Sequence, residues 1–364
     1  MKRIGIDARL YFQTGVGVYI RNFLHNLQKC NNSYFEYVIY VLEEDVSRIQ
    51  IENPHFTFRT TRSRWHSFDE QISFYFLIQK DNIDLMHFTY YSYPILYNRP
   101  FVATIHDLTP LKFRTGKAST KNKLIYNIKY FVLRYVFFKE SHSSLMIFTP
   151  TDYTKRQILD EYPDINANKI IVTYEGINHE LVESQSLDNN LESDYYLYVG
   201  NFYPHKNVDY LVDSYFLSHI KSKLVLVGPG NEFMSKLKKR VSDLGIQNKV
   251  LFRADISNEE LSRYYRYAKA LIYPSFSEGL GLPVIEASFF KIPIIASNIP
   301  VFKELLGESY ISFDPHIKKD LQQILEKVEK HPSSLILPEL KQECSFEKMT
   351  QKIHSMYSTL LNNS

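Results

Sequence analysis

The sequence has 364 residues, more than one ordinary hydrophobic core supports, which suits two domains of roughly 150 to 200 residues each. Hydrophobic side chains make up 44% and charged side chains 23%, a globular composition that excludes a largely disordered chain. The 43 basic and 40 acidic side chains leave a net charge of +3, so the charge balance gives no electrostatic footprint for nucleic acid.

The two cysteines, Cys30 and Cys344, form neither a CxxC pair nor a metal-ligand spacing. This usage fits a reducing compartment without a disulfide framework. The charged N-terminus precedes only a short apolar run, typical of a first strand rather than a signal peptide. Since no apolar run approaches the roughly 18 residues of a membrane-spanning helix, we expect a cytoplasmic protein.

Over the first 180 residues, short apolar runs alternate with amphipathic ones. The predicted strands are residues 2–7, 37–42, 84–88, 101–106, 145–148 and 170–174. The predicted helices are residues 18–29, 121–139 and 151–160. Alternating strands and helices predict a parallel sheet that is covered on both faces.

A polar run over residues 183–193 interrupts the pattern and is interpreted as a linker, with a long surface loop as the alternative. A second series follows, with predicted strands 195–199, 223–227, 250–252, 270–273 and 294–296, and helices 208–218, 231–244, 258–267 and 283–290. We therefore expect two doubly wound domains, 1–180 and 194–340, and a C-terminal helical segment, 341–364, packing back towards the first domain. Ligands of such sheets bind at the carboxyl ends of the strands, here in a cleft between the domains.

The most informative string is SEGLGLPVIE, residues 277–286, which follows a predicted strand. Pro283 suits the first position of a helix, so the N–H groups before it would face outward and bind an anion. Glu286, about one turn into that helix, can chelate two vicinal hydroxyls such as those of a ribose. Glu278 can accept hydrogen bonds from sugar hydroxyls. For either acid alone, the alternative is a carboxylate that only favours the helix dipole.

The string SEGLGLPVIEA resembles the E-x7-E motif of glycosyltransferase family 4, whose members are retaining enzymes of the GT-B fold. Two neighbouring strings support the likeness, since VGNFYPHKN (199–207) is similar to the family's glycine and Lys-Asn element, and residues 257–268 are similar to its preceding helix. The resemblance covers nearly the whole chain. It implies a GT-B protein, with two Rossmann-like doubly wound parallel-sheet domains facing a central cleft.

The resemblance also assigns roles in the second domain. Glu286 would bind the donor ribose and Glu278 the donor sugar near the reacting centre. Lys206 would neutralise the departing diphosphate without a metal, with an exposed turn lysine as the alternative. Asn201 stands where many members have an arginine, and it is expected to hydrogen-bond the phosphate. The missing second cation leaves His205 or another basic residue as the alternative source of that charge. The donor's sugar hydroxyls or diphosphate would lie on the backbone of Gly279, Leu280, Gly281 and Leu282.

In the first domain, Gly15 and Gly17 open a predicted helix after the first strand. Ile20 stands where a dinucleotide fingerprint needs its third glycine, which argues against an NAD-binding unit. In the family such a loop lets the donor phosphate approach; a tight strand-to-helix turn is the alternative. His106 and Asp107 end a predicted strand, and the resemblance places this His on the donor sugar with the Asp beside it. A capped loop residue is the alternative for His106.

The resemblance implies a nucleotide-diphosphate sugar as co-substrate, no cofactor or metal, and transfer of a hexose to a saccharide acceptor in building a bacterial surface polysaccharide. Mannose is the favoured hexose. The configuration at the anomeric carbon is expected to be retained through a front-side route. Residues 121–139 mix basic and aromatic side chains, which indicates either a core helix or one that docks on the inner face of the membrane, where a lipid-linked acceptor would be met. Two rival functions remain open: a catalytically silent GT-B protein that binds a glycan or a partner, and a nucleotide-sugar epimerase.

Overall fold

The computed structural model describes residues 1–30, 34–113, 123–184 and 194–362. The chain forms two compact units, each treated separately below. Unit 1 comprises Met1–Gly176 and Glu343–Ser364, and unit 2 comprises Ile177–Gln342. The boundary precedes the polar run 183–193, most of which (185–193) lies outside the described residues.

Unit 1 is built on a parallel sheet that has seven strands within the described ranges. They are β1 (Lys2–Asp7), β2 (Phe35–Leu42), β3 (Phe56–Thr61), β4 (Leu85–Phe88), β5 (Phe101–Thr104), β6 (Met146–Thr149) and β7 (Ile170–Val172). Their order is β3-β2-β1-β4-β5-β6-β7, so the winding reverses between β1 and β4. The helices of its first segment are α1 (Val16–Leu27), α2 (Tyr75–Lys80), α3 (Thr109–Lys112), α4 (Lys123–Ser143) and α5 (Asp152–Glu161).

Unit 2 repeats this architecture with a six-stranded parallel sheet in the order β10-β9-β8-β11-β12-β13. Its strands are β8 (Tyr195–Val199), β9 (Lys223–Gly228), β10 (Val250–Ala254), β11 (Ala270–Tyr273), β12 (Ile294–Ser297) and β13 (Ile311–Phe313). Its helices are α6 (His179–Glu183), α7 (Val208–Ser218), α8 (Glu232–Asp243), α9 (Asn258–Tyr267), α10 (Leu282–Phe289), α11 (Pro300–Leu306) and α12 (Asp320–Lys330). Here the winding reverses between β8 and β11.

The last helix, α13 (Phe346–Asn362), belongs to unit 1, where it packs on α1. Tyr357 of this helix is fully buried, and its hydroxyl lies 2.5 Å from Nδ1 of His87 on β4. Lys352 donates a hydrogen bond from Nζ to the carbonyl oxygen of Val172 at the end of β7 (2.9 Å). The helix thus covers part of the sheet that the first 176 residues build.

The prediction of two doubly wound parallel sheets is confirmed. Local caps act where the sequence places them, since Ser257 accepts from the N–H of Glu260 (3.1 Å) and Thr151 from that of Thr154 (3.1 Å). The predicted strand 101–106 ends early, at Thr104, so His106 lies in the following loop. No helix within the described residues is long and apolar enough to cross a membrane.

The predicted helix 121–139 corresponds to α4, which runs on to Ser143; residues 121–122 lie outside the described part. One face of α4 enters the core through Val136 and Phe137. The other face is also apolar but lies in solvent, where each side chain is 44% to 73% exposed; its members are Ile128, Phe131, Val132, Tyr135 and Phe138. The interpretation as a core helix therefore holds for one face of α4, whereas the other face is an unusual apolar surface.

Candidate functional site

The candidate site in unit 2 lies at the carboxyl ends of β8 and β11, where the winding of the sheet reverses. In doubly wound sheets this reversal leaves a crevice in which ligands bind. The turn after β8 carries Lys206, and the loop after β11 carries Glu278. The N–H of Phe276 donates to the carbonyl oxygen of His205 (2.8 Å), which ties the loop and the turn together.

Lys206 and Glu278 form an ion pair across these two segments. The Lys206 Nζ lies 2.7 Å from Oε1 and 2.8 Å from Oε2 of Glu278. The side chains are only 12% and 8% exposed, so the pair is largely desolvated. Tyr273 at the end of β11 places its hydroxyl 3.4 Å from the same Nζ. The ammonium group of Lys206 is thus shielded from water, and it can exchange Glu278 for an anionic ligand while Glu278 accepts from a hydroxyl-bearing one.

Two tyrosines on neighbouring strands support this pair from below. The rings of Tyr198 and Tyr273 are stacked with centroids 5.8 Å apart, and both are fully buried. The Tyr198 hydroxyl donates to the carbonyl oxygen of Asn201 (2.6 Å). The side-chain oxygen of Asn201 accepts from the N–H of Tyr203 (3.3 Å). Asn201 therefore shapes the turn that presents Lys206.

The N-terminus of α10 borders the same site. Gly281 precedes the helix with φ 91°, and a Cβ added there would lie 2.8 Å from Cε1 of Phe302, so only glycine fits. No side chain caps this end, which leaves the helix start suited to an anion. The sequence predicted Pro283 as the first residue of the helix. The helix begins at Leu282 instead, so Pro283 is its second residue. The proline still needs no N–H partner there.

Glu286 lies one turn further along α10 and is 7% exposed. Its Oε2 accepts a hydrogen bond from the hydroxyl of Tyr265 on α9 (2.6 Å). Burial raises the pKa of Glu286 to about 7, although the Tyr265 hydrogen bond acts to lower it. This carboxyl group therefore changes charge near neutral pH. Unit 2 thus brings together the predicted residues Lys206, Asn201, Glu278, Glu286 and the 279–282 backbone.

The predicted residues of unit 1 form a second group. His106 lies between Glu175, whose Oε1 is 3.3 Å from Nδ1, and the carbonyl oxygen of Thr89, 3.0 Å from Nε2. Burial lowers the pKa of His106, but the hydrogen bond and charge of Glu175 outweigh it, and the net pKa lies above the usual value. Its ring packs edge-on against Tyr19 of α1, with centroids 4.7 Å apart. The imidazole is thus held in place and biased towards its cationic form.

The remaining predicted residues of unit 1 make local contacts. Oδ1 of Asp107 accepts from the N–H of Thr109 (2.6 Å), the first residue of the short helix α3. Gly15 precedes α1 with φ 70°. A Cβ at Gly17 would lie 2.7 Å from the carbonyl oxygen of Tyr11, so the turn needs glycine for close packing. Gly15 also accepts from the N–H of Tyr19 (3.1 Å), which links this turn to the residue that contacts His106.

Three residues that contact the predicted site residues were not themselves predicted from the sequence, namely Tyr265, Tyr273 and Glu175. Two of them carry a signal that could have found them, since Tyr273 ends a predicted strand and Tyr265 lies on the buried face of a predicted helix. Within the described ranges, no group of three or more His, Cys, Asp or Glu side chains is arranged to hold a metal ion.

Comparison with known proteins matches two family models to adjacent parts of the chain. Residues 13–181 match the model described as "Glycosyltransferase Family 4", and residues 181–345 match "Glycosyl transferases group 1". The chain is therefore a glycosyltransferase. It belongs to glycosyltransferase family 4, as the motifs at residues 199–207 and 277–287 indicated.

Individual relatives agree with this assignment. The chain is 27% identical over 282 residues to the O-antigen chain mannosyltransferase RfbU of Salmonella typhimurium, covering 77% of this chain and 75% of that protein. It is similar in fold to a sucrose-phosphate synthase from Thermosynechococcus elongatus, with a TM-score of 0.75, 16% identity and full coverage of both chains. HepE of Anabaena, solved in complex with UDP and glucose, is similar with a TM-score of 0.72 and 13% identity over 99% of this chain and 100% of that one. The expected GT-B fold is thereby confirmed.

Proposed function

We propose that this enzyme transfers a hexose, mannose in the first instance, from a nucleoside-diphosphate sugar to a saccharide acceptor of a bacterial surface polysaccharide. The observation that carries the proposal is the shielded Lys206–Glu278 ion pair beside the uncapped start of α10. The choice of mannose and of a polysaccharide rests on relatives named as O-antigen mannosyltransferases. HepE, solved with UDP and glucose, supports a nucleotide sugar as the donor.

Each part of the donor would lie on a different part of the unit 2 site. Its ribose would lie on Glu286, its hexose near Glu278, and its diphosphate at Lys206 and the 279–282 backbone. Because Asn201 replaces a second cation and hydrogen-bonds within its own turn, Lys206 carries the charge compensation in this proposal. In unit 1, the family resemblance implies that His106 contacts the donor sugar, with Asp107 beside it and Gly15 and Gly17 near the donor phosphate.

The proposed chemistry needs no cofactor or metal ion. The bond between the sugar's anomeric carbon and the phosphate oxygen breaks, and the new bond forms from the acceptor hydroxyl on the same face. The leaving phosphate takes the acceptor proton. A fixed ammonium and oriented N–H groups stabilise the charge that develops on the diphosphate, a contribution worth roughly 10²- to 10³-fold in rate for each such donor.

The proposal is tested by incubating the protein with a panel of nucleotide sugars, with and without mannose oligosaccharides. Transfer to the oligosaccharide with release of nucleoside diphosphate supports it. Conversion of the donor into an epimer without acceptor would identify the rival epimerase. If no nucleotide sugar binds tighter than about 1 mM, which corresponds to about 4 kcal/mol, the donor site is wrongly assigned.

We also propose that the apolar outer face of α4 contacts an anionic membrane from the cytoplasmic side, where a lipid-linked acceptor would be met. Its exposed side chains include Phe131, 73% exposed, and the basic residue Lys129, whereas Arg134 is paired with Glu161 (3.0 Å). The helix's acidic residue, Glu140, is fully buried and adds no negative charge to this surface. Aromatic and basic side chains on one exposed face favour the interface of an anionic bilayer.

Co-sedimentation with phosphatidylglycerol vesicles at low salt tests this contact. We expect binding that weakens in Phe131→Ser, at high salt and with phosphatidylcholine vesicles. Leu337→Ser is the control, because Leu337 is a 61% exposed apolar residue in unit 2. Equal binding by both variants, or none by the wild type, would exclude α4 as the contact.

A further inference from the structure

A cluster of polar and aromatic side chains lies around His66, at the carboxyl edge of the unit 1 sheet. This residue follows β3 and has φ 55°, a left-handed conformation that is uncommon and costly for a residue other than glycine. Its N–H donates to the hydroxyl of Ser92, in the loop after β4 (2.9 Å). The two loops that follow β3 and β4 are thus joined at His66.

A buried network of hydrogen bonds and ion pairs around Arg9 and Glu70 holds this junction in place. The Ser92 hydroxyl donates to Oε1 of Glu70 (2.6 Å), and the same oxygen lies 2.7 Å from Nη2 of Arg9. Arg9 also donates to the carbonyl oxygen of Ser63, three residues before His66 (3.2 Å). Arg9 is wholly buried and Glu70 is 2% exposed. An Arg that is fully desolvated and paired on both sides is a costly arrangement, which here holds an otherwise strained loop in one position.

The side chains at this junction form a cluster of aromatic rings that runs from the core to the surface. The buried ring of Phe137 on α4 stacks on Tyr91, with centroids 4.5 Å apart, and Tyr91 lies 3.8 Å from Tyr90. The ring of His66 lies 5.6 Å from that of Tyr90 and 5.2 Å from that of Tyr91. Tyr90 is half-buried and His66 is exposed, so these two outer residues of the cluster are accessible to a ligand.

The chemistry of this cluster matches that of a sugar ring. A pyranose has C–H faces, which pack on aromatic rings, and a rim of hydroxyls, which need hydrogen-bonding partners. The cluster offers the rings of Tyr90 and His66, and its rim carries the imidazole nitrogens and the Tyr90 hydroxyl, which donates to the hydroxyl of Tyr91 and can accept from a ligand. Asp107, whose charge acts on the Tyr91 hydroxyl, adds a carboxylate at the same edge of the sheet.

We propose that His66 and Tyr90 form an acceptor subsite, which binds a pyranose residue of the saccharide that receives the hexose. The proposal rests on the proposed function for its chemical context, because a transferase needs an acceptor site separate from its donor site. It assigns that site to the loops after β3 and β4 of unit 1, at the edge where the winding of this sheet also reverses. Arg9 and Glu70 are positioning residues for the subsite.

The sequence supplies a probe for a direct test, since its single tryptophan, Trp65, precedes His66. Fluorescence excited at the red edge of tryptophan absorption, where the 28 tyrosines do not absorb, reports on this loop. We expect a saturable change when a mannose disaccharide is titrated into the full-length protein. His66→Gly and Tyr90→Ala should weaken that binding by about tenfold or more, equivalent to about 1.4 kcal/mol.

His66→Gly also separates binding from folding, because glycine adopts φ 55° without strain and so should not lower the melting temperature. His219→Gly is the matched control, because His219 has φ 51° and lies exposed in unit 2. It should leave disaccharide binding unchanged. Where transfer is measurable, the unit 1 variants should raise the acceptor KM without changing the donor KM.

The two proposals fail in different ways. If no disaccharide changes the Trp65 signal, or if His66→Gly and Tyr90→Ala bind it as the wild type does, the subsite is wrong even when nucleotide sugars bind and react. If disaccharides bind at Trp65 as expected but no nucleotide sugar binds to unit 2, the proposed transfer is wrong and the subsite stands.

Discussion

Tyr265 donates a hydrogen bond to Glu286 over 2.6 Å, and both side chains are buried within unit 2. The Tyr265 ring is held in turn by stacking on Phe290, with centroids 5.5 Å apart. Burial raises the pKa of Glu286 to about 7, and the Tyr265 hydrogen bond acts in the opposite direction, so the carboxyl group changes charge near neutral pH.

Donor affinity should therefore rise with pH. An ionised Glu286 accepts hydrogen bonds from both ribose hydroxyls, so we expect affinity to increase up to about tenfold per pH unit below pH 7 and to level off above it. Calorimetry with a nucleotide sugar measures this, since its diphosphate is esterified at both ends and does not titrate in that range. Tyr265→Phe removes a hydrogen bond that lowers the pKa and should move the midpoint upwards. A flat profile that matches Glu286→Gln would contradict the assignment.

Replacing Lys206 should lower turnover far more than it lowers donor affinity. We expect Lys206→Met to reduce kcat by roughly 10²- to 10³-fold, because the departing diphosphate loses its cation. It should also destabilise unit 2, since Glu278 would be left buried and unpaired at a cost of about 3 to 5 kcal/mol.

A double variant separates these two effects. Lys206→Met with Glu278→Gln removes both charges, so it should recover much of the unfolding free energy without recovering activity. Lys236→Ala is the control, because Lys236 pairs with Glu232 in an exposed position, where an ion pair contributes about 0 to 1 kcal/mol. If the double variant regains turnover, Lys206 has no role in the chemistry.

Gly281→Ala should destabilise unit 2 and weaken donor binding. The left-handed backbone alone costs about 1 to 2 kcal/mol, and the 2.8 Å approach to Phe302 adds an overlap. Gly245→Ala shares the positive φ (70°) but meets no atom within 4 Å, so it should show the backbone cost alone in urea denaturation. Adding Phe302→Leu to Gly281→Ala should restore about 1 kcal/mol beyond additivity. Equal losses in the two alanine variants would argue against the overlap.

Glu140 on α4 should make unit 1 less stable as the pH rises. It is fully buried, and neither carboxylate oxygen has a hydrogen-bond partner among the described residues. Burial first, and then the charges of Glu70 and Asp7, hold its pKa well above the ordinary value. Since the folded protein binds this proton more tightly, its stabilising effect is complete below the ordinary pKa and is lost as the pH rises towards the folded value.

Glu140→Gln, a neutral group of the same shape, should therefore be more stable than the wild type at pH 8. The difference should shrink by up to about 1.4 kcal/mol for each pH unit on going towards pH 5. Urea denaturation at the two pH values measures it, with the exposed Glu52→Gln as control. A constant difference between the variants would show that Glu140 is ionised in the folded protein.

The strands that position the donor site could be predicted closely from the sequence. β8 and β11 are wholly buried runs of apolar and tyrosine residues, and their bounds match the prediction. β3 was missed, because only Phe56, Phe58 and Thr61 of this edge strand are partly buried and its other residues are exposed. β3 therefore has no continuous apolar run to detect.

The motif residues could be named in advance, but their partners could not. Lys206 and Glu278 are 72 residues apart, and His106 and Glu175 are 69 apart, so these pairs arise only from the order of strands in each sheet. Which apolar face of α4 is exposed could not be predicted either, because the sequence allowed both a core helix and a surface helix. Only packing shows which face the sheet covers.

The return of α13 to unit 1 has a consequence for synthesis on the ribosome. All of unit 2 leaves the ribosome before the segment that holds Tyr357. Until then α1 lacks the helix it packs against, and His87 lacks its buried hydroxyl partner. In the nascent chain, unit 2 is therefore complete while unit 1 still lacks α13. A premature stop near residue 340 would leave an apolar groove on unit 1 exposed to chaperones and proteases.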